Sequence, residues 1–201
     1  MKKIKLTTLV FSALLLGACH SPDQKWDSKS SADTLNNMKD SAADTSKSIT
    51  EDLVMKVSKD DAKFAVAAAN GGMAEVELGK LAQTNAASPE VKEFGSMMVK
   101  DHAAANEKMK GLAAAKGISL PKTIGADEQR LKDELTKKTG EDFDKAYVKA
   151  MIEDHREDIK EFTNAVQTLK DPELKAFAAN TLPVLKMHLE SIQKIDQSEK
   201  K

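Results

Sequence analysis

Cysteine is nearly absent. Cys19 is the only one in 201 residues, which excludes an internal disulfide and any thiolate metal cluster. Aromatic residues make up 4% of the chain, with one tryptophan and one tyrosine, so there is no aromatic–basic patch of the kind that stacks nucleobases. Charge of either sign is balanced: 31 Lys and Arg against 32 Asp and Glu leave a formal −1, and electrostatics points to neither nucleic acid nor an anionic surface. No run in the domain alternates with period two, so no half-buried strand is expected. A glycine-rich phosphate loop and a serine or cysteine nucleophile signature are missing too.

What is present begins with an export signal. Lys2, Lys3 and Lys5 form a positive n-region, and Leu6 to Leu16 form an apolar h-region too short to span a bilayer as a mature helix. Leu16-Gly17-Ala18-Cys19 resembles a bacterial lipobox, which implies removal of residues 1–18 and lipidation of Cys19. The expected partner is therefore the membrane, reached through acyl chains on Cys19, with a cell-envelope location in the periplasm or at the outer membrane. His20 rather than aspartate follows the cysteine, which in enterobacterial sorting favours the outer membrane. Residues 19–57 are rich in Ser, Asp, Lys, Thr and Asn, with Trp26 almost the only large apolar side chain before Leu53. That composition cannot offset ordering entropy, and the segment reads as a solvated, disordered tether, with Met38 to Ile49 at most a transient helix.

Residues 58–197 have the size of one domain and helical spacing almost throughout, followed by a polar tail at 198–201. Ser58 with Asp61 forms a capping box that opens a first helix through Phe64, Glu75, Leu78 and Ala82, with a kink or short break expected at Gly71-Gly72. Ser88-Pro89-Glu90 opens a second helix, with Val91, Phe94, Met98, His102 and Met109 on one stripe and Gly117 at its end. A third runs from Asp142 to Leu169 along Phe143, Tyr147, Met151, His155 and Phe162. The fourth opens at Asp171-Pro172-Glu173 and carries Leu174, Leu185, His188 and Ile192, with a kink expected at Pro183. The 118–141 connection is long for a bundle hairpin and contains a short helix at 126–138. It has the reach to let the second and third helices run parallel, so the expected fold is all-α: a ferritin-like four-helix bundle with an extra short helix in the crossover. Two echoes run through the domain. Ser88 to Phe94 resembles Asp171 to Phe177, and Met98 to His102 resembles Met151 to His155.

The segments Gly71 to Gly79, Met98 to His102, Tyr147 to His155 and Asp171 to Ala178 resemble the bacterial family catalogued as domain of unknown function 4142. The resemblance covers Ser58 to Ile195 and implies a secreted or lipid-anchored helical bundle grouped with ferritin-like folds. It implies no activity. Met151 to His155 is also similar, more distantly, to the methionine and paired-histidine motif of small periplasmic copper-handling bundles, with Asp154 where those have the first histidine.

His102, His155 and His188 each sit on the apolar stripe of a different helix, so a bundle would turn all three imidazoles inward. Buried imidazoles need partners, and a metal, carboxylates or one another would serve. Val99, Ile152 and Leu185 stand three residues before them where a di-iron site needs glutamates, which argues against ferroxidase chemistry and against an enzyme of that type. The candidate ligands are His102, His155 and His188 with Asp154 first and Glu75 second among the carboxylates; Asp101 and Asp158 lie nearby. Zn, Cu or Fe would suit such a set, and Met98 and Met151, one turn before two of the histidines, are possible soft-metal neighbours. Three functions remain open on sequence alone. The chain is a module that binds a metal or small ligand, a structural or stress-related envelope protein whose histidines are only hydrogen-bonded, or a metalloenzyme with an open coordination position.

Overall fold

The computed structural model describes residues 27–45 and 57–199; Cys19, the lipobox and the last two residues lie outside them. Among the described residues all regular structure is helical: α1 Ser28–Thr45, α2 Lys59–Asn85, α3 Pro89–Lys116, α4 Ala126–Thr136, α5 Gly140–Thr168 and α6 Pro172–Glu199. None of these helices is long and apolar enough to cross a membrane.

The helix ends fall where local chemistry puts them. Ser58 and Asp61 close the expected capping box, with the Asp61 N–H donating to Ser58 Oγ at 3.2 Å. Ser88 caps α3 before Pro89, and Gly117 ends it in the left-handed region at φ 69°, letting the Ile118 N–H reach Ala113 O at 2.9 Å. α2 runs unbroken through Gly71-Gly72, and α6 runs unbroken through Pro183. The short break allowed for at the glycines is therefore absent. A Cβ on Gly72 would come 2.3 Å from Asn106 Oδ1, so its missing side chain makes room for an α3 residue.

The four long helices surround one interior. α2 and α3 are antiparallel and touch backbone to backbone: a Cβ on Gly79 would stand 2.6 Å from Gly95 O, and one on Gly95 2.7 Å from Gly79 O. The Phe64 ring on α2 meets Phe162 on α5 at 5.2 Å, and Lys116 at the end of α3 meets Asp171 before α6 at 2.7 Å, so these pairs are antiparallel as well. Phe94 faces Tyr147 and His102 faces His155, with ring centroids 6.3 and 6.0 Å apart. α3 and α5 therefore run parallel, and the stretch from Gly117 to Thr139, with α4 inside it, makes the crossover.

Two reciprocal clasps join the hairpins. Asp61, near the start of α2, accepts the N–H groups of Lys170 and Asp171 in the α5–α6 turn, at 2.9 and 3.3 Å. Asp144, near the start of α5, accepts those of Ala87 and Ser88 in the α2–α3 turn, at 3.1 and 2.8 Å. Each buried aspartate satisfies turn donors that would otherwise be orphaned.

The 19–57 segment needs correction as a solvated tether throughout, because α1 lies in it and docks on the bundle. Ala32 and Asn36 are buried. Asn36 reads one peptide from both sides, donating Nδ2–H to Ser119 O at 2.9 Å and accepting the Ser119 N–H at 2.7 Å. Lys39 Nζ donates to Gly117 O at 2.8 Å, and the Lys122 N–H donates to Ser28 Oγ at 2.7 Å. These attachments are polar side chains on backbone, to which hydrophobic periodicity is blind.

The core is split. One apolar cluster joins Phe64, Met109, Phe162, Leu174 and Leu185; the other joins Leu78, Phe94, Met98, Phe143, Tyr147, Met151 and Ile192. Between them, at the same level on all four long helices, lie Glu75, His102, His155 and His188.

Candidate functional site

This polar layer is closed to solvent. Glu75 is 2% exposed, His102 5%, and His155 and His188 0%. Each imidazole takes the place of an apolar stripe residue on α3, α5 or α6, and Glu75 does the same on α2. The ring centroids are 5.2 Å apart for His102 and His188, 5.5 Å for His155 and His188, and 6.0 Å for His102 and His155. Phe94 closes the layer from the second cluster, 6.1 Å from the His155 ring and 6.4 Å from that of His188.

Each histidine has one nitrogen tied to an oxygen. His102 Nδ1 lies 2.6 Å from Glu75 Oε2, His188 Nε2 lies 3.0 Å from Asp101 Oδ2, and His155 Nδ1 lies 3.0 Å from its helix's own Met151 O. A carbonyl only accepts, so His155 carries its proton on Nδ1 and turns the Nε2 lone pair away. The other nitrogens, His102 Nε2, His188 Nδ1 and His155 Nε2, face one another. The first two are 3.3 Å apart, and ligand atoms of all three residues lie within 4.8 Å of one another.

Glu75 is the carboxylate of this layer. Its Oε1 lies 3.5 Å from His155 Nε2, whereas Asp154 Oδ2 stands 3.8 Å from His155 Nδ1 and its side chain is 35% exposed. The expected ranking of the two acids is therefore reversed by position, since Asp154 lies toward the rim of α5. Glu75, Asp154 and His155 form a second group whose ligand atoms lie within 4.8 Å of one another. Asp101 was recognisable in sequence only as a neighbour of His102; its partner is His188 on another helix. Met98 and Met151 are fully buried in the apolar cluster beside the layer.

Four buried side-chain atoms among the described residues have no hydrogen-bond partner: Glu75 Oε1, His155 Nε2, Asp154 Oδ2 and Tyr147 Oη. Orphaned polar atoms are costly, and all four belong to or adjoin this layer. Burial shifts the groups toward their neutral forms. It pushes the Glu75 carboxyl up to about 8, holds His102 down at about 4, and holds His155 down at about 3 with help from His102 and His188. His188 is lowered by burial against the opposing pull of Asp101. Asp154 is raised by burial and then by the charge of Glu75. The Tyr147 hydroxyl is raised by burial and then by Glu75 and Asp154. At neutral pH the imidazoles thus keep free lone pairs, the form that binds a metal. A groove of about 800 Å³ between α3 and α6 carries Asp101, His102 and His188 in its wall, beside the closed layer.

The model of a family described as "Domain of unknown function (DUF4142)" matches residues 47–195. No curated protein matches the chain. Among solved structures, a DUF305 fragment from Deinococcus radiodurans is similar with a TM-score of 0.62 and 10% identity, covering 69% of this chain and 96% of that one. A structure described as "CopM in the Cu(I)-bound form" is similar with a TM-score of 0.59 and 16% identity over the same shares of the two chains. CopM in an Ag-bound form gives 0.56 and 17%, again covering 69% of this chain and 96% of that one. At these identities the likeness is one of fold.

Proposed function

The chain belongs to the DUF4142 family, whose description assigns no activity, and from the geometry of its polar layer we propose that it binds a transition-metal ion inside the bundle. His102 Nε2, His155 Nε2 and His188 Nδ1 hold the ion; Glu75, Asp101 and the Met151 carbonyl orient the three rings from their far nitrogens. The observation that carries this reading is that arrangement: every imidazole is anchored to oxygen on one side and aims its other nitrogen at the same space. Ring nitrogens tied to an oxygen are the usual outer support of metal-bound histidines.

The spacing fits. Ligands about a tetrahedral Zn with bonds near 2.0–2.1 Å are about 3.3 Å apart, the His102–His188 separation, and the ligand atom of His155 lies within 4.8 Å of both. Three neutral imidazoles with an oxygen donor in reach suit Zn(II), Cu(II) or Fe, with nitrogen donors favouring the first two. Bound there, such an ion would supply a Lewis-acid centre, or with Cu or Fe a redox centre, beside the α3–α6 groove. That two CopM structures of similar fold are described as Cu- and Ag-bound supports a metal in this kind of bundle.

The test is a titration of metal-free protein with Zn, Cu and Fe while the melting temperature is followed. A native-state ligand stabilises by mass action, so the same upward shift should vanish in His102→Leu, His155→Leu and His188→Leu. No shift with any of the three ions in folded protein overturns the reading. The layer is then structural, a role favoured by the run of contacts from Glu75 through His102 and His188 to Asp101, which satisfies most of the buried groups without an ion.

We further propose that the protein is ferritin-like in its bundle topology and held in the cell envelope through acyl chains on Cys19, with the membrane as its partner and no nucleic acid. The lipobox sequence and the balanced charge support that reading. Cys19→Ser should leave the chain unprocessed or release it from the membrane fraction; unchanged fractionation would sink it.

A further inference from the structure

We propose that the enclosed cavity beside the polar layer seats a single water-sized ligand: a water in the metal-free protein and, in the loaded protein, the exchangeable ligand that completes the coordination of the ion. The loaded half deepens the metal reading above and rests on it; the cavity itself does not. It measures about 20 Å³ and lies among all four long helices, with Glu75 and His102 of the layer in its wall. A water takes about 10–15 Å³ of such space, so the cavity holds one and excludes an organic substrate.

The lining offers that molecule its partners. Asn106 on α3 and Asp158 on α5 both line the cavity, and neither has a hydrogen bond or ion pair with a described residue. Thr181 on α6 gives its proton to Phe177 O at 2.8 Å, which leaves the hydroxyl oxygen free to accept. The place of Asn106 depends on Gly72, because any side chain there would strike its amide. An amide, a carboxyl and a hydroxyl from three helices supply the two to four partners that an internal water needs. On the side away from the layer the Phe162 and Phe177 rings close the space, their centroids 6.2 Å apart.

The position of the cavity relative to the imidazoles carries the loaded half. Three nitrogen ligands leave a tetrahedral ion its fourth position on one side of their plane. Phe94, an apolar ring, stands against the layer from the second cluster, 6.1 Å from His155 and 6.4 Å from His188. The cavity lies on the opposite side, toward the first cluster, with His102 in its wall. An oxygen ligand from solvent therefore meets the ion from the cavity. Its size limits a loaded bundle to water, hydroxide or a diatomic molecule.

The probe ion is Cu(II), and the filling variant is Ala105→Leu, which puts a larger side chain into the cavity at a position that holds no ligand. In metal-free protein, oxygen-17 relaxation dispersion counts long-lived internal waters, and the count should fall by one in the variant. In Cu(II)-loaded protein in heavy water, pulsed electron paramagnetic resonance should show the deuterons of a bound water, which the variant loses while keeping its Cu(II). Circular dichroism checks folding, and Ala68→Leu fills the same cavity from α2 if Ala105→Leu does not fold. An unchanged water count in folded, filled protein overturns the cavity water. Cu(II) bound without exchangeable deuterons, or with deuterons that survive filling, overturns the exchangeable ligand and leaves the metal reading. Protein that takes up no ion loses the metal reading and the loaded half together, and the water count still decides the cavity.

Discussion

His102 Nε2 and His188 Nδ1 face each other 3.3 Å apart across the α3–α6 interface, with their far nitrogens held by Glu75 at 2.6 Å and Asp101 at 3.0 Å. The middle contact needs one proton between two nitrogens, and an ion placed there takes over both lone pairs. His155 completes the layer from α5 without joining this run, since its Nδ1 is spent on Met151 O and its Nε2 on nothing. Its neighbours therefore lose little when its ring is removed.

The metal-free protein should be stabilised at acid pH by His155→Leu. Burial lowers the folded-state pKa of His155 from its ordinary 6.5 to about 3. The unfolded chain therefore takes up a proton first, and the contribution of this group to stability is fully present above 6.5 and lost as the pH falls toward 3. By pH 5 the loss is on the order of 2 kcal/mol, which the leucine variant escapes. Urea midpoints of the two proteins at pH 7 and pH 5 measure it; an equal difference at both pH values would count against the lowered pKa.

Metal uptake at pH 7 should release about one proton per ion, because His102 Nδ1 needs an ionised acceptor once Nε2 is committed. Glu75, pushed up to about 8 by burial, holds that proton in the metal-free protein. The release should disappear in Glu75→Gln and should fade in the wild type above pH 8, where the carboxyl is already ionised. Calorimetry in two buffers of different ionisation heat reads the number. The same release from Glu75→Gln would refute this role of Glu75.

Replacing Asp144 with Ala should destabilise the bundle by about 1–3 kcal/mol, since it strands the Ala87 and Ser88 N–H groups. Asp61→Ala should cost as much or more, because that side chain also closes the capping box of α2. Guanidinium unfolding with an unchanged denaturant slope would confirm both as stability effects. Neutral substitutions would mean that water replaces the carboxylates.

The echo between Ser88 to Phe94 and Asp171 to Phe177 acquires a physical reason from these clasps. Both segments start a helix just after a turn whose N–H groups are taken by an aspartate near the start of the other hairpin. Asp61 and Asp144 are separated by the same number of residues as Ser88 and Asp171. The echo between Met98 to His102 and Met151 to His155 likewise corresponds to a parallel pair, α3 beside α5, with His102 facing His155. In sequence these were similarities without a cause.

The sequence by itself determined what depends on near neighbours: four long helices and a short one, their caps at Ser58, Ser88 and Gly117, and stripes that turn His102, His155 and His188 inward. Those features are settled by i to i+4 hydrogen bonding and by the 3.6-residue period, which act within one segment. Tertiary structure alone decided that Glu75 rather than Asp154 meets His102, that Asp101 serves His188, that Gly72 makes room for Asn106, and that α1 docks through Asn36 and Lys39. Each of these is a short-range polar or steric contact between residues far apart in the chain. A carboxylate's partner is fixed by ångström-scale placement across an interface, and hydrophobic periodicity carries no information about that placement.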